Sequence, residues 1–247
     1  MSSVRIDDLN IYYEKSGTKG KNVLLLHGWG QNTEMMAFIA EHLKDRFIVY
    51  NLDFPGFGRS DEPKEPWGVE EYTEFIHDFC LHFGIEEPIF IGHSFGCRVA
   101  QVYACRYGAE KMVLAGAAGV RDKRTLKWYV KTYTYKLGKK ILSLPFLKDV
   151  KKQLEKNAGS EDYRNSSGVM RQTLVKVVNH DTSPILKDIK CETLLVFGSL
   201  DSATSVEKGR YMEKMMPDAA LVIFENDDHY AYINEAARFN RVLDAFL

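Results

Sequence analysis

Short, nearly continuous apolar runs recur along the first half of the chain: VLLLHG at 23–28, FIVYNLD at 47–53, PIFIGHS at 88–94 and KMVLAGA at 111–117. Runs of this length without polar alternation suit strands of a parallel sheet that is buried on both faces. Between them, amphipathic stretches at about 33–44, 70–83 and 95–107 read as helices. The rhythm returns late, with TLLVFGS at 193–199, a helical stretch near 203–216, ALVIFEN at 220–226 and a final helix near 231–246. Such alternation predicts an α/β fold with a doubly wound, mostly parallel sheet. The opening segment, VRIDDLNIYYEKSG, reads as a hairpin with its turn near Asp7-Asp8-Leu9-Asn10.

Residues 121–184 break this rhythm. They hold no comparable strand run, and their pattern is helical throughout. A helical insertion between two strands of a sheet is a candidate cap or lid. The expected organisation is therefore a core domain built from 1–120 and 185–247, with a helical cap at 121–184. The stretch 121–156 carries twelve Lys/Arg against three Asp/Glu, which reads first as a solvated face, with a weak attraction to anionic lipid or an acidic substrate as the alternative.

Composition narrows the function classes. The 247 residues are 45% hydrophobic and 27% charged with a formal net charge of −1, an ordinary balance for a globular protein. That charge gives no reason to expect nucleic acid as a partner. No apolar run approaches the roughly 20 residues needed to span a bilayer, so stable membrane insertion is not expected. The N-terminal stretch lacks the basic-then-apolar pattern of a secretory signal. Cys80, Cys97, Cys105 and Cys191 show neither paired nor zinc-like spacing, which fits reduced thiols in a cytoplasmic protein.

The sharpest chemical signal is Gly92-His93-Ser94-Phe95-Gly96, placed after the run PIFI and before the helix-compatible CRVAQVYACRY. A serine on a tight strand-to-helix turn holds a strained backbone that exposes its hydroxyl, and flanking glycines let neighbouring backbone pass closely. The helix that follows aims its positive end at the site. Serine alone is a weak nucleophile and needs an imidazole to take its proton. No dinucleotide or phosphate-binding glycine loop and no cluster with metal-ligand spacing accompanies the serine, so neither a cofactor nor a metal is expected.

Four blocks together resemble the α/β-hydrolase superfamily, in particular its small cap-bearing members: Leu26-His27-Gly28-Trp29-Gly30, the stretch from Asp53 to Ser60, the Ser94 turn, and the segments around Asp201 and His229. The resemblance spans essentially the whole chain and is loosest over 121–184. It implies a triad in the chain order Ser94, Asp201, His229, and an oxyanion hole from the backbone N–H groups of Trp29 and Phe95. It implies a structural role for His27 in ordering its loop and for His93 in packing the turn. The implied activity is cleavage of a carboxylic ester through an acyl-enzyme, on a small-molecule substrate with an apolar or aromatic part. Trp128, Tyr129, Tyr133, Met170 and Tyr230 are candidate substrate contacts, although the cap aromatics among them read first as packing against the core.

The chain departs from the family pattern in places. The loop after Asp201 runs Ser202-Ala203-Thr204-Ser205, without the usual proline. Asp227-Asp228 precede His229, where a small residue and glycine are usual, so either carboxylate is a rival to Asp201 or a means of raising the His229 pKa. Carbon–carbon bond hydrolases of this fold usually carry Trp after the histidine, and Tyr230 stands there. Cofactor-free haloperoxidases share the HGW string but continue with proline, where this chain has Gly30. Dehalogenases and epoxide hydrolases use a carboxylate in place of Ser94. A small-molecule receptor on the same fold is the non-catalytic alternative.

Overall fold

The computed structural model describes residues 2–121, 134 and 160–247. Eight strands form one sheet. Strands β1 (Ser2–Ile6) and β2 (Leu9–Ser16) make the expected hairpin, closed by Asp7-Asp8 with Asp7 at φ +50°. A left-handed residue in so short a loop matches the twist of the paired strands. Then follow β3 (Asn22–Leu26), a 3-10 turn at Thr33–Met36, α1 (Ala37–Leu43), β4 (Ile48–Leu52), α2 (Val69–Phe83), β5 (Ile89–His93), α3 (Phe95–Tyr107) and β6 (Lys111–Ala115). After the insertion come β7 (Glu192–Gly198) and β8 (Ala219–Phe224).

The strand order is β1-β2-β4-β3-β5-β6-β7-β8, antiparallel for the first two pairings and parallel thereafter. The order reverses around β3, because β4 lies on one side of it and β5 on the other. In open α/β sheets the crevice at the carboxyl ends of such strands is where ligands bind. The apolar runs are continuous because both faces of each strand are buried. Leu24 and Leu26 pack with α2 and α3 through Tyr72, Phe79 and Val99, whereas Val23 and Leu25 pack with Ile39 and Leu43 of α1. Each fully buried side chain of this size contributes about 1.5–3 kcal/mol by leaving water.

The described part of the insertion is helical, with α4 (Glu161–Asn165), α5 (Gly168–Asn179) and a 3-10 turn at Ser183–Asp188. Its two stems are clasped onto α3. Thr182 N–H donates to the Gly119 carbonyl (3.1 Å), the Thr182 hydroxyl to Gln101 Oε1 (2.6 Å), and Gln101 Nε2 to the Ala118 carbonyl (2.9 Å). Arg98, buried on α3, donates to the carbonyl of Val177 at the end of α5. Leu186 and Ile189, by contrast, belong to the main core.

Beyond β7 lies α6 (Val206–Met215). The single C-terminal helix expected near 231–246 is two helices, α7 (Ala231–Asn234) and α8 (Ala236–Phe246), with Glu235 between them at φ −107°, ψ +42°. The break turns the chain so that Tyr232 stacks near Phe38 and meets Phe239 edge-on. Among the described residues no helix is long and apolar enough to cross a membrane.

Candidate active site

Every strand run ends one or two residues before the apolar pattern does, and the residues left over form the loops of the site. Ser94 follows β5 directly at φ +49°, ψ −103°, a left-handed backbone that is strained for any residue with a Cβ. The conformation is held by Ser94 N–H donating to the Ala115 carbonyl (3.0 Å) and by the Ser94 carbonyl accepting from Ala118 N–H (3.3 Å). Gly96 explains the second glycine of the turn. A Cβ there would stand 2.1 Å from the Leu26 carbonyl oxygen, so only glycine lets α3 cross β3 this closely.

His229 lies in the loop between β8 and α7. Its Nδ1 is 2.7 Å from Asp201 Oδ2. The Asp201 side chain is fully buried, yet every lone-pair direction is used. Oδ1 accepts the N–H groups of Ala203 and Thr204 (2.8 Å each), and Oδ2 also accepts the Thr204 hydroxyl (2.7 Å). Burial alone would raise the Asp201 pKa, but the bonds from His229 and Thr204 outweigh it and hold the carboxyl below its ordinary value. The same Thr204 oxygen is 3.3 Å from His229 Nδ1. Thr204 was not singled out in the sequence; the missing proline in its loop was the available signal.

Neither rival carboxylate reaches the imidazole ring. Asp227 Oδ1 accepts from Asp228 N–H and Asn234 Nδ2, and Asp228 Oδ1 accepts from Tyr230 N–H and Asn234 Nδ2. Both are tied to the side chain of Asn234, the last residue of α7, and to backbone N–H groups just before that helix.

Trp29, in the loop after β3, and Phe95, the first residue of α3, are the residues named for the oxyanion hole; their ring centroids lie 5.7 Å apart, with Phe57 wedged beside Trp29 at 4.8 Å. His27 is wholly buried. Its Nδ1–H donates to the Gly28 carbonyl (2.7 Å) and its Nε2 accepts from Phe54 N–H (3.0 Å), which joins the Trp29 loop to the one that follows β4. Burial pulls its pKa down to about 4. That second loop is organised by buried Asp53, which accepts from the N–H groups of Thr33 (2.6 Å) and Arg59 (2.8 Å).

His93 is buried behind Ser94 with its ring 4.8 Å from that of His229. Its Nε2 lies 3.0 Å from the His229 carbonyl and its Nδ1 3.1 Å from Gln31 Oε1. Burial, followed by the neighbouring His229, takes its pKa down to about 3.

A cavity of about 510 Å³ opens beside these groups, lined by Trp29, Gln31, Phe57, Met170 and Tyr230, with Glu62, Asp162, Asn165, Ser166 and Ser167 among its polar wall. Of the candidate substrate contacts, Met170 and Tyr230 line this cavity. Trp128, Tyr129 and Tyr133 lie outside the described residues. Asp162 and Asn165 of α4 and Ser166 and Ser167 before α5 supply polar groups to the described part of this wall.

A family model described as the alpha/beta hydrolase fold matches residues 21–236. The chain belongs to the α/β-hydrolase family. Among curated relatives of this hydrolase, a pimeloyl-[acyl-carrier protein] methyl ester esterase of Chromobacterium violaceum is 26% identical over 256 residues, covering 95% of this chain and 97% of the relative. A proline iminopeptidase of Saccharolobus solfataricus is 26% identical over 284 residues, covering 98% and 90%. Among solved structures, a meta-cleavage product hydrolase from Pseudomonas fluorescens IP01 superposes with a TM-score of 0.76 at 22% identity, over 100% of this chain and 97% of that one. The last likeness is one of fold.

Proposed function

We propose that this α/β hydrolase cleaves a carboxylic ester of a small molecule through a covalent acyl-enzyme, with Ser94 as nucleophile, His229 as general base and Asp201 as the carboxylate that orients it. The observation that carries this reading is the 2.7 Å contact between His229 Nδ1 and a fully buried Asp201, together with a strained serine that directly follows His93, whose ring lies 4.8 Å from that of His229. With Nδ1–H committed to Asp201, the other ring nitrogen is free to take the Ser94 proton as Oγ attacks the ester carbonyl. Negative charge then develops on the carbonyl oxygen, where the N–H groups of Trp29 and Phe95 serve as donors, aided by the N-terminus of α3. Collapse expels the alcohol, which takes the proton back from His229. Water, activated by the same imidazole, then hydrolyses the acyl-enzyme.

The substrate's apolar or aromatic part fits against Trp29, Phe57, Met170 and Tyr230, and residues 121–184 act as the cap over the cavity. No metal or cofactor enters this chemistry. The four cysteines are free thiols, which suits the reducing cytoplasm. Ser94→Ala should abolish hydrolysis of p-nitrophenyl esters and labelling by a fluorophosphonate, with the circular dichroism spectrum unchanged. Full activity in that variant would overturn the reading, and labelling of the natural chain without multiple turnover would favour a receptor.

A further inference from the structure

The two buried histidines beside the site differ in a way that hydrogen-bond accounting exposes. A neutral imidazole has one N–H donor and one acceptor nitrogen. The surroundings of His27 match this, with an acceptor (the Gly28 carbonyl) at one nitrogen and a donor (Phe54 N–H) at the other. His93 meets an acceptor at both. The His229 carbonyl can only accept, and Gln31 must present its oxygen because Gly28 N–H donates to that same Oε1 at 2.8 Å. Turning the Gln31 amide over would satisfy His93 and leave the Gly28 N–H facing another donor.

We propose that Gln31 and His93 are positioning residues that set the oxyanion loop against the loop carrying His229, with the single ring proton of His93 shared between Gln31 Oε1 and the His229 carbonyl. The proposal rests on the serine-hydrolase reading, since it assigns these residues an effect on that reaction. Through Gly28, Gln31 holds the backbone immediately before Trp29, whose N–H is the proposed oxyanion donor. Through His93, the same side chain is tied to the backbone of the proposed base. Displacing either end misplaces a donor or a base, and errors of this kind act on the rate of chemistry more than on substrate affinity. A doubly protonated His93 would satisfy both loops at once, but burial opposes that charge. The ionisable groups facing the ring are His229, Asp201, His27, Tyr230 and Tyr232.

Two variants of the full chain test this with a p-nitrophenyl ester. Gln31→Met removes the shared acceptor and should lower kcat about tenfold with KM within about twofold, the size expected for one lost hydrogen bond in the site. Gln31→Glu keeps the acceptor and supplies the charge that makes a doubly protonated His93 the satisfied state. It should restore kcat at near-neutral pH, where the proposed base His229 is neutral and His93 is doubly protonated, with a new loss of kcat as pH rises further and His93 deprotonates. A merely structural role would not produce that limb. Ring nitrogen-15 shifts of His93 supply a readout independent of folding of the variants. In the natural chain at neutral pH they should lie between the values of the two pure tautomers, and in Gln31→Glu at acidic pH both should move to donor-type values. Unchanged kcat in Gln31→Met, a change in KM alone, or a single pure tautomer in the natural chain would overturn the proposal. Failure of the serine-hydrolase reading would show separately, as a natural chain that neither turns over the ester nor labels at Ser94.

Discussion

Thr204 lies in the loop after Asp201, and its hydroxyl donates to the oxygen of Asp201 that faces His229. A carboxylate that accepts four hydrogen bonds has little freedom to rotate, so the imidazole is aimed before substrate arrives. Removing the hydroxyl while keeping the branched shape, in Thr204→Val, should lower kcat about 5- to 20-fold with little change in KM. Thr204→Ser should recover most of that loss. Steady-state kinetics on both variants checks this, and equal kcat in all three proteins would remove Thr204 from the site. Asp227 and Asp228 show the opposite lesson at this scale: although they adjoin His229 in sequence, their oxygens are taken by Asn234 and nearby backbone N–H groups.

At the scale of elements, α3 is the part on which the rest depends. Its N-terminus carries Phe95, Gly96 lets it cross β3, and Arg98 and Gln101 hold both stems of the insertion. Among the described residues no carboxylate bonds the buried Arg98 guanidinium; it donates to the Val177 carbonyl near the end of α5, which also accepts from His180 N–H. Arg98→Met should keep the fold of the sheet yet raise amide hydrogen exchange selectively over 177–182, because the clasp loses its charged donor. Protection lost equally in β5 and β6 would show that Arg98 supports the whole core instead. Strands β3 to β8 and helices α2, α3 and α6 were legible in the sequence to within three residues, since for the strands burial on both faces writes a continuous apolar run. The division of the last helix at Glu235 was not legible: helical periodicity continues across it, and the turn follows from the packing of Tyr232 against residues distant in the chain.

For the molecule as a whole, the two buried histidines couple stability to pH. Unfolded histidines titrate at about 6.5, whereas His27 and His93 in the folded chain resist protonation down to about 4 and about 3. Between those limits the unfolded state binds more protons, so stability must fall as pH falls from about 6.5. Urea unfolding at pH 7.5, 6.0 and 4.5 should show the midpoint dropping steadily. His27→Leu, less stable at pH 7.5 through the loss of its two bonds, should show a shallower drop. A midpoint independent of pH over this range would mean that the rings are protonated in the folded state. Asp201 adds to the same trend further down: its lowered pKa gives stability that is present above the unfolded carboxyl value and is lost as pH falls through the folded one.

The order of strands and helices in the sheet domain and the position of the strained serine turn were written in local patterns, because each depends on residues within a few positions of one another. The ring partner of His229 was not. Asp201 lies 28 residues away in the chain, and the contact exists because parallel pairing of β7 with β8 brings their carboxyl ends side by side. The roles of Thr204, Gln31 and Arg98 depend in the same way on groups supplied by other loops and helices. A sequence carries donors and acceptors one at a time, and only the folded chain decides which of them meet.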